Sequence, residues 1–278
     1  MGNPCNEIKM VNNYPCACVT GRNLRCLYPG KWITIEGPDG CGKGSQVQNI
    51  LTWMKEHGHQ ASAHRSPGST PLGNELRTLM KNRKDLKMCM MTIQTLMMAD
   101  LMEMIEQIVK PECALGHHVI ADRTNLISGI TYGLAGSLTM KEIELLHALP
   151  LCLQPPPLYV IVLLGEPEKL KARQHGDIEV QKDGTVIEKA CRFQDMGGEY
   201  HQRVYENYRK IAIQMPWLTP EFGRLHNHLN RFVPVWNNER YANTSFQKLA
   251  IWSVDATGSV EEVGKKISEI VAQIVAVP

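Results

Sequence analysis

Residues 33 to 46 read ITIEGPDGCGKGSQ, and this stretch decides the fold. Gly37 and the pair Gly42-Lys43 have the G-x-x-x-x-G-K spacing of a phosphate-binding loop, although Gly44 stands where the usual motif has Ser or Thr. A strand ending at Glu36, a glycine-rich turn and a helix starting near Ser45 supply the context that such a loop needs. In that geometry the backbone N–H groups from Asp39 to Gly44 point inward, and the helix N-terminus adds partial positive charge, which suits a β-phosphate. Lys43 then bridges the β- and γ-phosphates. Gly37, Pro38, Asp39, Gly40, Cys41, Gly42, Lys43, Gly44 and Ser45 are the expected ATP-binding residues. An ordinary tight turn is the plainer alternative, but such turns rarely need three glycines and a lysine at this spacing.

The 278 residues, 43% hydrophobic, suffice for one sizeable core. Five apolar, strand-like runs (32–36, 61–65, 118–121, 158–164 and 249–254) alternate with helical segments near 45–57, 73–82, 88–109, 139–148, 166–175, 198–214 and 259–276. Short buried strands alternating with helices predict an α/β fold with a five-stranded parallel sheet covered on both faces, in three layers. Residues 1–30 read as an N-terminal extension and 31–278 as one P-loop domain. Asp183-Gly184, between β-branched stretches, predicts a hairpin inside a lid at about 174–196. The irregular, apolar segment at about 215–248 reads as a peripheral insertion.

A formal charge of +2 with scattered Lys and Arg argues against a nucleic-acid polymer or a membrane surface as partner, and leaves a small anionic ligand. No 18-residue apolar run and no leader-like N-terminus occur, and MGNPCN lacks the Ser or Thr of a myristoylation signal. The expectation is a soluble, cytoplasmic protein. Nine cysteines, an odd number, fit a reducing compartment, with Cys89, Cys113 and Cys152 expected as buried free thiols. His57, His59, His117 and His118 flank turns and are read as surface residues.

Gly42-Lys43-Gly44-Ser45-Gln46 is similar to the G-K-G-T-Q of nucleoside monophosphate kinases of the adenylate kinase type, so Gly44 does not rule out phosphoryl transfer. Three longer blocks resemble the thymidylate kinase family: Glu36 to Lys43 matches E-G-x-D-G-x-G-K, RSPGSTPLGNELR (65–77) is similar to R-E-P-G-G-T-P-L-G-x-x-x-R, and KPECALGHHVIADR (110–123) matches K-P-x-x-x-x-G-x-x-V-I-x-D-R without a gap. The similarity covers about 31–214 and 249–276. Departures at family positions and the added segments suit a virus- or phage-encoded member.

That resemblance implies transfer of the γ-phosphate of ATP to a deoxynucleoside monophosphate, dTMP above all, with Mg2+ and as a homodimer. It implies that Arg65, Arg77 and Arg123 bind the acceptor phosphate, where paired guanidiniums suit a dianion, that Asp39 meets the acceptor sugar, and that Asp122 with Ser45 orients the metal ion. Lys43 and Arg123 are the expected catalytic cations. Gly40 occupies a position that carries arginine in some members, so Arg192 and Arg173, with Lys182 and Lys189, are expected to close over the donor phosphates. Surface solvation is the alternative for both arginines.

On the base side the resemblance weakens. MMADL (97–101) matches F-x-A-D-R, so Met97 replaces a stacking aromatic and Leu101 an arginine that bonds the base. Positions 97, 101, 104, 105 and 108 form one apolar helical stripe, which is ordinarily core. Base contacts are then expected from Gln94, Met97, Ser128 and Tyr132. Rival readings are a kinase for another or modified deoxynucleotide, and a nucleotide-binding protein without turnover.

Overall fold

The computed structural model describes residues 10–11, 14–15, 28–153, 155–156, 158–172, 177–180, 186–189, 192–214 and 250–276. Met10–Val11 (β1) and Tyr14–Pro15 (β2) pair antiparallel. Then follow Trp32–Glu36 (β3), Lys43–Glu56 (α1), Ala61–Arg65 (β4), Pro71–Lys81 (α2) and Met90–Met104 (α3). A π-helical turn at Ile105–Val109 carries α3 into Lys110–Ala114 (α4), and His118–Asp122 (β5), Ile127–Ala135 (α5), Met140–Cys152 (α6) and Leu158–Leu164 (β6) come next. Pro167–Ala172 (α7), Asp177–Val180 (β7), Val186–Lys189 (β8), Gly198–Gln214 (α8), Ala250–Asp255 (β9) and Val260–Val275 (α9) complete the series.

The main sheet has the order β4-β5-β3-β6-β9, and every pairing in it is parallel. Side chains alternate across it, as the two-residue strand period requires. Trp32, Val119, Val160 and Val162 join one apolar cluster with α3, α5 and α8, whereas Ile33, Ile35, Ile120, Ile161 and Leu163 join another with α1 and α9. Burial on both faces explains why these strands read as unbroken apolar runs. The α9 helix starts on a capping box between Ser259 and Glu262, and its Val263, Ile267, Val271 and Ile274 make the buried stripe.

The hairpin expected in the lid is present, with β7 antiparallel to β8, while its Asp183-Gly184 turn lies outside the described residues. So does the 215–248 insertion. One helix, α5, departs from the sequence expectation, which placed none there. Its sequence, ISGITYGLA, is rich in glycine and β-branched residues, but eight of its nine residues are buried, and tertiary packing overrides weak local propensity. A Cβ on Gly129 would come within 3.1 Å of Gln94 Oε1 and of His147 Nε2, so that glycine lets α5 approach α3 and α6. Two further corrections concern burial. Cys113 is buried as expected, but Cys89 and Cys152 are exposed. His118, in the paired strand β5, is buried and its Nδ1 accepts the Lys31 backbone N–H, so it is not a surface residue.

Candidate active site

The loop after β3 turns on glycines in conformations that other residues avoid, with φ of 141° at Gly37, 82° at Gly40 and 83° at Gly42. At Gly37 a Cβ would also lie 2.4 Å from the Leu163 carbonyl oxygen. Gly42 caps α1 with no side-chain hydrogen bond, and no acid stands in the first turn. The N–H groups there suit an anion. Lys43, only 8% exposed, donates from Nζ to the carbonyls of Pro38 (2.8 Å) and Gly37 (3.3 Å), which holds its charge over the loop.

Gly40, Gly42, Lys43 and Gly44 line a cleft of about 1050 Å3, and Arg65, Arg77 and Arg123 line the same cleft. Arg65 ends β4, and Arg123 follows β5. Both strands pair in parallel with their ends level at Asp122, so the two arginines share the C-terminal edge of the sheet with the phosphate loop. Arg65 Nε donates to the Gly68 carbonyl at 3.3 Å, and Arg77 Nη1 to that of Pro67 at 3.0 Å.

Arg123 has a φ of 72°, a left-handed backbone that only surrounding contacts can maintain in a long side-chain residue. Its Nη1 donates to the Gly37 carbonyl and to Tyr208 Oη, each at 2.7 Å, and its Nη2 to Asp39 at 2.5 Å. The rings of Tyr132 and Tyr208 lie 5.5 and 5.9 Å from its guanidinium carbon. Two carboxylates answer this cation differently. Burial pushes Asp39 upward, but Arg123 and Lys43 more than offset it and hold the group at about 2. Glu36 has no exposed surface, and burial raises it to about 7 against the pull of Arg123. Its two oxygens accept from the Thr124 N–H (2.6 Å) and Tyr208 Oη (2.9 Å).

Met97, Ser128 and Tyr132 all line the cleft, and Asn125 and Phe193 join them. Ser128 Oγ donates to the Thr124 carbonyl at 2.8 Å, which leaves its lone pairs to a ligand. Gln94 does not line the cleft. It is 1% exposed, and in the amide orientation that satisfies both neighbours it donates to the Gly129 carbonyl and accepts from the Gly133 N–H. Its place is the α3–α5 contact. Leu101 has no exposed surface and belongs to the core, so the helical stripe is core with Met97 at its rim.

Arg192 is not among the residues that line the cleft. Nε donates to the Met80 carbonyl at 3.0 Å, Nη2 to that of Arg83 at 2.5 Å, and the backbone N–H to Lys81 at 3.0 Å. Lys84 pairs with Asp195 at 2.6 Å. The segment around Arg192 is thereby fastened to the end of α2, where a cation also complements the helix dipole. Arg173 and Lys182, and the side chain of Lys189, lie outside the described residues. Sequence reasoning missed Lys81, His201 and Ser259, which also line the cleft. For Lys81 a signal existed, because it follows Arg77 by four residues on one helix face.

Asp122 Oδ1 is buried with no hydrogen-bond partner among the described residues, and Ser45 is an exposed hydroxyl in the first turn of α1. One hard carboxylate and one hydroxyl fit Mg2+, which takes few protein ligands and completes its shell with water and phosphate.

A family model described as thymidylate kinase matches residues 35–216. The chain is 29% identical over 188 residues to a thymidylate kinase of Idiomarina loihiensis, covering 67% of this chain and 86% of that one. It is 29% identical over 245 residues to a thymidylate kinase of Rhodopirellula baltica, covering 87% and 80%. Against that of Desulfosudis oleivorans it is 26% identical over 185 residues, covering 66% and 85%.

Proposed function

The chain belongs to the thymidylate kinase family, and from that premise we propose that it transfers the γ-phosphate of ATP to a deoxynucleoside monophosphate, converting dTMP to dTDP. The observation that carries this reading is the gathering of positive charge in one cleft: Lys43 on the phosphate loop, together with Arg65, Arg77 and Arg123. Two anionic nucleotides meeting there need cations on both sides of the transferring group.

The acceptor phosphate is already an adequate nucleophile, so no general base is required. Positioning and charge neutralisation supply the catalysis. Lys43 would leave the Gly37 and Pro38 carbonyls for the β- and γ-phosphates, and Arg65 and Arg77 would take the acceptor dianion. Arg123 would reach the phosphoryl group between them, with Asp39 available to the acceptor sugar. Asp122 and Ser45 would hold Mg2+, which when bound neutralises charge on the phosphates.

A second reading concerns the base alone. No arginine stands beside Met97 on α3, since Leu101 replaces it inside the core, and a site without that directed donor leaves less unpaired when another base enters. Activity on a further deoxynucleotide follows. The reading also includes a homodimer and a cytoplasmic location; among the described residues no helix is long and apolar enough to cross a membrane. The test is ADP release from ATP with each common deoxynucleoside monophosphate in turn. Turnover with dTMP and with at least one other supports both readings, and no ADP above the ATP-only rate with any acceptor defeats them.

A further inference from the structure

Asp100 falls inside the MMADL match on α3, and its carboxylate occupies a junction. It is 1% exposed. Oδ2 accepts from Ser66 Oγ at 2.9 Å and from Asn125 Nδ2 at 3.0 Å, and Oδ1 accepts the Gly68 N–H at 2.9 Å. A fourth segment closes on it, because a Cβ on Gly73 in the first turn of α2 would lie 2.5 Å from Oδ1. The α2 backbone therefore rests against the carboxylate, and only glycine permits that approach. Burial pushes the Asp100 carboxyl upward, opposed by the Gly68 N–H, Ser66 and the charge of Arg77.

Each segment tied to this group carries an arginine of the cleft. Arg65 leads into the loop of Ser66 and Gly68 and donates to the Gly68 carbonyl. Arg77 lies on α2 and donates to the Pro67 carbonyl. Arg123 precedes Asn125 by two residues. Asp100 itself does not line the cleft. A buried carboxylate has a high desolvation cost, so three donors converging on it make that junction rigid.

We propose that Asp100 is a positioning residue for the acceptor: its carboxylate clamps the 66–68 loop, the start of α2 and Asn125 together so that Arg65, Arg77 and Arg123 converge on one dianionic phosphate. This rests on the kinase reading above. Among the described residues, the hydrogen bonds to Asp100 come from Ser66, Gly68 and Asn125 and none from the phosphate loop or α1.

The experiment compares the wild type with Asp100→Asn and Gly73→Ala, by calorimetric titration of dTMP and of a non-hydrolysable ATP analogue, together with steady-state kinetics. Asp100→Asn places amide hydrogens against donors. It should weaken dTMP binding about ten- to hundredfold, the scale of losing a hydrogen bond to a charged group, with ATP-analogue affinity unchanged and kcat at saturating acceptor within about threefold. Gly73→Ala wedges α2 away from the carboxylate and should shift dTMP affinity in the same direction, which keeps the test open if Asp100→Asn does not fold. Equal loss of both affinities, or a fall in kcat alone, overturns the proposal. A wild type that binds dTMP without turning it over would remove the kinase reading and leave the clamp testable by affinity, whereas one that binds no deoxynucleoside monophosphate overturns both.

Discussion

The guanidinium of Arg123 lies 2.5 Å from the carboxylate of Asp39, so an arginine that follows β5 is bonded to an acid inside the phosphate loop. This pair, with the bonds to Gly37 and Tyr208, uses the fork of the guanidinium in three directions, which an ammonium on a flexible stem cannot copy. Arg123→Lys should lower kcat/KM for the acceptor at least about a hundredfold, the scale of losing one directed donor at a reacting centre. Near-normal kcat/KM in a folded Arg123→Lys protein would mean that charge alone suffices there.

Lys43→Ala should reduce turnover by two or more orders of magnitude, again on the scale of a lost transition-state donor, and leave the fold intact. Its Nζ contacts are all to groups of the phosphate loop: the Gly37 and Pro38 carbonyls, Cys41 Sγ at 3.8 Å and the Asp39 carboxylate at 3.9 Å. ADP release alongside a thermal melt checks both halves, and normal turnover in the folded variant would end the phosphoryl-transfer mechanism.

Glu36 predicts an unusual pH dependence of stability. Its carboxyl is raised from 4.5 to about 7 in the folded protein, so between those values the folded state binds more protons than the unfolded state. Stability then falls as pH rises through that window, by about 3 kcal/mol in all from this group, and is flat above it. Asp39 acts oppositely: depressed from 3.8 to about 2, it adds stability above the upper value that is lost as pH falls through the lower. Denaturant melts from pH 4 to 8 should show the Glu36 slope in the wild type and lose it in Glu36→Gln. An equal slope in both proteins would refute the assignment.

Lys81 and Arg192 separate two sources of charge. Lys81 lines the cleft and lies close enough to Asp39 to help hold its carboxylate down, whereas Arg192 caps the end of α2. Lys81→Ala should cost about tenfold or more in kcat/KM. Arg192→Ala should instead cost about 1 kcal/mol of stability, with a smaller kinetic effect. The reverse ranking in kinetics would return Arg192 to the transferring phosphoryl group.

Met97 and Leu101 differ in what a substitution can do. Met97→Phe puts a ring at the edge of the cleft and should lower the dTMP KM severalfold, on the scale of one aromatic contact. Leu101→Arg buries an unpaired charge and should destabilise the fold by about 3 kcal/mol or more, rather than restore a base contact. A stable Leu101→Arg protein with sharpened thymine preference would place that helix face in the cleft.

The sheet and the phosphate loop were legible in the chain, because both are written in local signals. Unbroken apolar runs marked strands buried on two faces, and the glycines at 37, 40 and 42 marked the backbone turns that position Lys43. Arg65, Arg77 and Arg123 were legible only through the resemblance, since they fall at matching positions of the blocks 65–77 and 110–123. Tertiary structure alone decided the rest. Nothing local in ISGITYGLA announces a helix; packing against α3 and α6 makes one. Gln94 was assigned to the base from its spacing, but the close approach of Gly129 and Gly133 turned its amide into the helix contact. Arg192 read as a lid cation, and the carbonyls left open at the end of α2 took its guanidinium. The junction at Asp100 gathers donors 25 to 34 residues away, a convergence of separate segments that no period or spacing in the chain encodes.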